Sequence, residues 1–251
     1  MTAQKSETHR AATPAERLIV ALDVANADDA RRVVLELEGV VTTFKIGLQL
    51  FSAAGPSFVE ELVSKGKRVF LDLKFHDIPS TVAKAGIEAA RLGVWMFNVH
   101  ASGGGEMMRT VAQEVSEFCV AGNRMRPLII GVTVLTSSNG DTLLEAGVEA
   151  NVETQVSRLA RLAAVSRLDG VVASANEIGL IRETVGIPGF VIVTPGIRPL
   201  SATNDDQKRV MTPGAAISAG ADHLVVGRPI LDAADRAGAA RKILAEIGAA
   251  D

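Results

Sequence analysis

The chain has 251 residues, 47% hydrophobic and 22% charged, a globular composition with enough apolar material for a substantial core. A net charge of −3 supplies no general basic field for nucleic acid or an anionic membrane, so an anionic ligand must be held by local groups. The single cysteine, Cys119, excludes an internal disulfide, no segment approaches the ~20 apolar residues of a membrane span, and Met1–Pro14 lack the apolar core of a secretory signal; the expectation is a soluble, cytoplasmic protein.

Residues 1–14 carry too few apolar groups to offset the cost of ordering and read as a flexible tail. From residue 15 to 251 the pattern is that of a single barrel domain. Leu18–Val24 is a short apolar run followed by the amphipathic stretch Ala27–Leu37. Phe44–Leu48 is followed by Pro56–Lys65, Arg68–Phe75 by Ser80–Leu92, and Met96–His100 by Gly104–Phe118. Leu128–Leu135 precedes Asn151–Ser166, and Gly170–Ser174 precedes Ala175–Glu183. Phe190–Thr194 and His223–Gly227 complete the series. Runs this short, rich in Val, Ile, Leu and Phe, are strands buried on both faces. Eight of them alternating with helices predict an α/β protein of the (β/α)₈ TIM-barrel type. An open doubly wound sheet would usually bring a glycine fingerprint after its first strand. Here that strand runs Ala21-Leu22-Asp23-Val24-Ala25-Asn26-Ala27, without glycine.

The carboxyl ends of barrel strands form the active face. Here they hold Asp23, Lys45, Asp72 with Lys74, His100, Thr136, Pro195 with Gly196, and Gly227 with Arg228. Bare charges are costly to bury unless paired, so both signs at one mouth suggest a self-compensating network. Asp72 and Lys74 stand two apart on a strand, which sends their side chains to the same side. Asp77 follows in the loop, and Ser80 is the candidate N-cap of the next helix.

Thr194-Pro195-Gly196-Ile197-Arg198 and Val226-Gly227-Arg228 follow strands seven and eight, the habitual phosphate site of this architecture. Glycine admits close backbone approach there, and arginine offers a fork to phosphate oxygens. Between them Pro199–Pro213 is a long polar loop containing Gln207, suited to a lid. His100 is read as a neutral hydrogen-bonding group before a base, and His76 as structural or functional with equal weight. His223 opens strand eight at the opposite end and reads as structural, as do Cys119, Trp95, Met107 and Met108. The histidines lack the spacing of a zinc site.

Asp72-Leu73-Lys74-Phe75-His76-Asp77-Ile78-Pro79-Ser80-Thr81 resembles the signature of the orotidine 5′-phosphate decarboxylases. The similarity extends through Ala21-Leu22-Asp23, Phe44-Lys45-Ile46-Gly47, Asn98-Val99-His100, Val132–Thr136, Thr194–Arg198, Asp206-Gln207 and Val226-Gly227-Arg228. The resemblance implies a cofactor-free and metal-free homodimer that turns orotidine 5′-phosphate into uridine 5′-monophosphate and carbon dioxide. It assigns Asp23 and Lys45 to the ribose, with His100 nearby. Asp72 and Lys74 would face the reacting carbon, with Lys74 as proton donor. Asp77, Ile78 and Thr81 would belong to the substrate site, Asp77 and Thr81 reaching in from the partner subunit. Thr136 would read the pyrimidine edge, and Arg198, Gln207, Gly227 and Arg228 would surround the phosphate.

The chemistry suits these residues. Loss of carbon dioxide leaves an electron pair on a ring carbon, and fixed charges in a dry site can stabilise it. A related group of sugar-phosphate barrels shares Asp-x-Lys-x-x-Asp but holds magnesium on its acidic groups. A lysine at position 45 fits poorly beside a dication.

Overall fold

A computed structural model of the chain, described for residues 13–199 and 211–250, shows eight parallel strands closed into a barrel in sequence order. Helix α1 (Pro14–Arg17) leads into β1 (Leu18–Ala21), then α2 (Ala27–Glu36), β2 (Thr43–Gly47) and α3 (Leu48–Ser64). β3 (Arg68–Phe75), α4 (Pro79–Arg91), β4 (Met96–His100), α5 (Gly104–Ala121) and β5 (Leu128–Val132) continue the alternation. Next come α6 (Gly140–Glu145), α7 (Val152–Val165), β6 (Gly170–Val172), α8 (Ile178–Val185) and β7 (Val191–Pro195). The chain then passes through α9 (Pro213–Ser218), β8 (His223–Val226), α10 (Arg228–Leu231) and α11 (Arg236–Gly248). β1 pairs with both β2 and β8, which closes the ring.

Period-two alternation divides each strand between two cores. Ile19, Ala21, Phe70, Met96, Leu128, Ile130, Val191, Val193 and Val225 fill the barrel interior. Leu18, Val20, Phe44, Ile46, Leu71, Phe97, Ile129 and Ile192 face outward under the helices and are buried there. The inward positions at the carboxyl ends are therefore reached by counting in twos. Ile19 and Ala21 lead to Asp23, Thr43 to Lys45, Phe70 to Asp72, and Met96 to Asn98. Phe70 and its apolar neighbours form the floor on which the polar layer sits.

Some local expectations are corrected. Helix α4 starts at Pro79 with Ile78 as its N-cap and no capping side chain, so Ser80 lies within the first turn. Proline is preorganised for the first helical position and its missing N–H leaves no orphan donor, which moves the start ahead of Ser80. A helix starts at Pro56 as expected, but a further helical stretch from Leu48 precedes it within α3, the two separated by a kink at Gly55 (φ 70°). Ahead of α1 the Thr13 N–H donates to the Glu16 carboxylate at 3.0 Å; residues 1–12 lie outside the described residues. β1 and β5 end sooner than their apolar runs, leaving Asp23 and Thr136 in loops.

His223 is fully buried at the amino end of β8, its Nδ1 3.0 Å from the Glu16 carbonyl oxygen and its ring edge-on to Trp95. Met107, Met108 and Cys119 are buried in α5, and burial pushes the Cys119 thiol up from its ordinary range. No helix among the described residues is long and apolar enough to cross a membrane.

Candidate active site

The carboxyl ends of the strands open onto a cavity of about 350 Å³. Asp23, Lys45, Asp72, Lys74, Thr136, Gly196, Arg198, Gly227 and Arg228 all stand in its wall. Ala21, Phe70, Val132, Val172 and Val225 form the apolar part, which excludes water beneath the charges.

On one side of the cavity the charges alternate. Lys45 Nζ donates to Asp23 Oδ1 at 3.0 Å and lies 3.4 Å from Asp72 Oδ2. Lys74 Nζ donates to the other Asp72 oxygen, Oδ1, at 2.7 Å. Each oxygen of Asp72 thus faces a different ammonium. The Lys45 and Asp72 side chains are 11% and 12% exposed, whereas Lys74 is 30% and Asp23 57% exposed. The array is anchored in the barrel and opens to solvent at its rim. A protein interior tolerates such charges only when each is paired, as these are.

Lys74 reaches its place by a route that simple alternation does not foresee. Its φ is 52°, in the left-handed region that a residue with a Cβ enters at a cost. Against β4 the register pairs Leu71 with Phe97 and Phe75 with Val99, so three residues of β3 span the space of one on β4. That one residue is Asn98. It is 1% exposed, accepts the Lys74 backbone N–H at its Oδ1 (2.8 Å) and donates from Nδ2 to Asp72 Oδ1 (2.7 Å). Sequence patterning gives Asn98 no role of its own. The available signal was an amide at an inward position of a buried strand, where apolar side chains are the rule.

The loops after β7 and β8 line the same cavity, the β8 loop next to Asp23. Gly196 has φ 77°, a conformation in which glycine is unstrained. At Gly227 a Cβ would stand 3.3 Å from Asp23 Oδ2, so glycine keeps the backbone close to that carboxylate. Arg198 and Arg228 flank these glycines on the cavity wall, and the Arg198 backbone N–H donates to the Met211 carbonyl at 3.3 Å. Gln207 lies outside the described residues.

His100 is half-buried behind the array, its ring 5.5 Å from that of His76, and it is not part of the cavity wall. Burial, then the His76 and Lys74 charges, hold its pKa below the usual histidine range, which suits a neutral imidazole. Asp77, Ile78 and Thr81 are exposed beside the mouth and likewise do not line the cavity; Asp77 Oδ1 accepts the Ile78 N–H at 2.6 Å. Among the described residues no group of three or more His, Cys, Asp or Glu side chains is arranged to hold a metal ion.

The description "Orotidine 5'-phosphate decarboxylase / HUMPS family" belongs to the family model that matches residues 16–243. A relative from Syntrophotalea carbinolica, named orotidine 5′-phosphate decarboxylase, is 55% identical over 235 residues, covering 94% of this chain and 96% of its own length. One of the same name from Geobacter sulfurreducens is 52% identical over 232 residues, covering 92% and 96%. The crystal structure of orotidine 5′-phosphate decarboxylase from Lactobacillus acidophilus superposes with a TM-score of 0.82 at 36% identity, over 92% of this chain and 98% of that one.

Proposed function

The chain belongs to the orotidine 5′-phosphate decarboxylase / HUMPS family, and we propose that its alternating Asp23–Lys45–Asp72–Lys74 array is the machinery of decarboxylation. The reaction is that of a carboxy-lyase in pyrimidine biosynthesis, orotidine 5′-phosphate giving uridine 5′-monophosphate and carbon dioxide. The observation that supports the assignment is the pairing of Asp72 with two ammonium groups, one on each carboxylate oxygen, at the edge of a largely apolar cavity.

The phosphate binds between Gly196, Arg198, Gly227 and Arg228, where two guanidinium groups and close backbone meet. Asp23 and Lys45 hold the ribose hydroxyls, with neutral His100 behind them as a support. Thr136 meets the pyrimidine edge. The substrate carboxylate then points toward Asp72 and Lys74. As the bond from C6 to the carboxylate breaks, its electron pair stays on C6 and carbon dioxide departs. Lys74 Nζ stabilises the carbanion and gives it a proton, which forms the product's C–H bond.

Most of the rate comes from charges already in place, because fixed ammonium groups need no reorganisation as negative charge moves onto the ring. Lys45 contributes by lying between Asp23 and Asp72, which offsets the repulsion of the carboxylates and fills the place a dication would take. No cofactor enters this mechanism. Binding of the distant phosphate supplies energy for holding the substrate against the charges, the larger effect compared with strain between Asp72 and the substrate carboxylate.

The enzyme acts as a cytoplasmic homodimer in which Asp77 and Thr81 of each subunit complete the partner's site, with Ile78 beside them at the substrate. Support comes from their exposure beside the mouth, Ile78 being 64% exposed although apolar. The test is complementation. Inactive Lys74→Ala and Asp77→Ala chains, mixed and allowed to exchange subunits, should recover part of the activity, since one site in a hybrid dimer has every group intact. No recovery after confirmed exchange would show that each site is built from one chain.

A further inference from the structure

We infer that Asn98 is a positioning residue for decarboxylation, setting the backbone of Lys74 and the carboxylate of Asp72 at once through its single amide. The inference rests on the reading of Asp72 and Lys74 as the reacting pair.

A primary amide buried to 1% exposure in a strand must satisfy its polar atoms or lose stability. Asn98 has Val99 and Phe97 on the outward face beside it and Met96 below it in the barrel interior, so the slot is otherwise apolar. Both of its hydrogen bonds go to β3, and both to the two residues that meet in the ion pair. Nothing else among the described contacts asks for an amide there.

The acceptor half deals with the irregular strand. Where three residues of β3 pass one of β4, the regular ladder cannot serve every N–H. Lys74 is also held at φ 52°, a conformation that persists only when its surroundings overdetermine it. Asn98 Oδ1 accepts that N–H at 2.8 Å, which fixes the direction in which the Lys74 side chain leaves the strand. The donor half binds Asp72 Oδ1, the same oxygen that Lys74 Nζ reaches. Lysine backbone, lysine ammonium and aspartate are thereby closed into one ring of contacts through Asn98. An amide can donate and accept simultaneously, whereas a carboxylate can only accept and an aliphatic side chain can do neither.

Two substitutions separate positioning from mere structure. In Asn98→Ala, kcat should fall by about 100-fold, as expected when reacting groups are misplaced by an ångström. Affinity for uridine 5′-monophosphate should stay within about threefold, because Asn98 is outside the cavity wall that binds it. Asn98→Asp keeps the shape and is read by pH. Ionised, it accepts from Lys74 but places a second negative charge against Asp72; protonated, it regains a donor and an acceptor. The charged and titratable groups around it are Asp72, Lys74 and His76 after or on β3, Lys45 on β2, Asp23 beyond β1, and His100 on β4 itself. All of these are shared with the parent, so the ratio of variant to parent kcat isolates the new carboxyl. That ratio should climb at least about tenfold as pH falls from about 9 to about 5.5.

The inference is overturned by a pH-independent ratio, by kcat within about threefold of parent in folded Asn98→Ala, or by loss of the fold in both variants. If Asn98→Ala alone fails to fold, the pH ratio of Asn98→Asp decides. Lys74→Ala is assayed alongside. If that variant also keeps parental turnover, the array has no catalytic role and Asn98 none through it; if only the Asn98 variants keep turnover, the assignment of Asn98 alone fails.

Discussion

Removal of the ammonium at position 74 is the most direct test of the charge array. At an effective dielectric of about 20, a positive charge about 4 Å from a forming carbanion is worth about 4 kcal/mol, or roughly a thousandfold in rate. Loss of a positioned proton donor takes away a further factor of roughly 10² to 10⁴. Lys74→Ala should therefore lower kcat by about 10⁵- to 10⁷-fold. The fold should hardly notice. The Lys74 side chain is 30% exposed, and Asp72 keeps Lys45 at 3.4 Å and the Asn98 amide at 2.7 Å. A solvent-screened ion pair of this kind contributes about 1 kcal/mol or less to stability. Turnover is followed by the loss of orotate absorbance, and product affinity by calorimetric titration with uridine 5′-monophosphate, which should change by less than about tenfold. A folded variant that binds product normally and still turns over within about 100-fold of the parent would refute the role given to Lys74.

Other expectations concern phosphate, pH and packing. Arg228→Ala should raise KM by roughly 10- to 100-fold through loss of a charge-assisted contact to phosphate; steady-state kinetics showing an unchanged KM would take Arg228 out of that site. Burial pushes His223 down from 6.5 to about 4, so the folded chain keeps it neutral while the unfolded chain protonates below 6.5. Its contribution to stability is complete above pH 6.5 and drains away as pH falls toward about 4, a loss of roughly 3 kcal/mol. Urea titrations across that window should show a shallower acid decline in His223→Leu than in the parent, and superimposable declines would contradict the linkage. A Cβ at Gly170 would collide with the Val191 carbonyl oxygen across the β6–β7 pair. Gly170→Ala should lower stability by about 3 kcal/mol, visible as a reduced urea midpoint at constant slope; a midpoint equal to the parent's would show that the strands can part.

Much of the site follows from local rules. Counting in twos from Ile19, Thr43 and Phe70 brings Asp23, Lys45 and Asp72 to the inward face, and the parallel barrel gathers their strand ends at one mouth. Glycine and arginine after strands seven and eight reach the cavity wall for the same reason. Alternation and chain order need no knowledge of distant partners, so the chain's own residue pattern suffices for the barrel and for most of the charged wall. Register is different, because it is settled between strands. The three-against-one passage of β3 along β4, the positive φ of Lys74 and the amide of Asn98 that meets both depend on how two separate segments fit. The same holds for His100, turned toward His76 behind the array, and for the start of α4, where proline geometry outweighs the capping preference of Ser80. Position along the chain decides which groups arrive at the mouth; packing between strands decides how they are aimed, since a hydrogen bond across a register shift has no counterpart in local sequence.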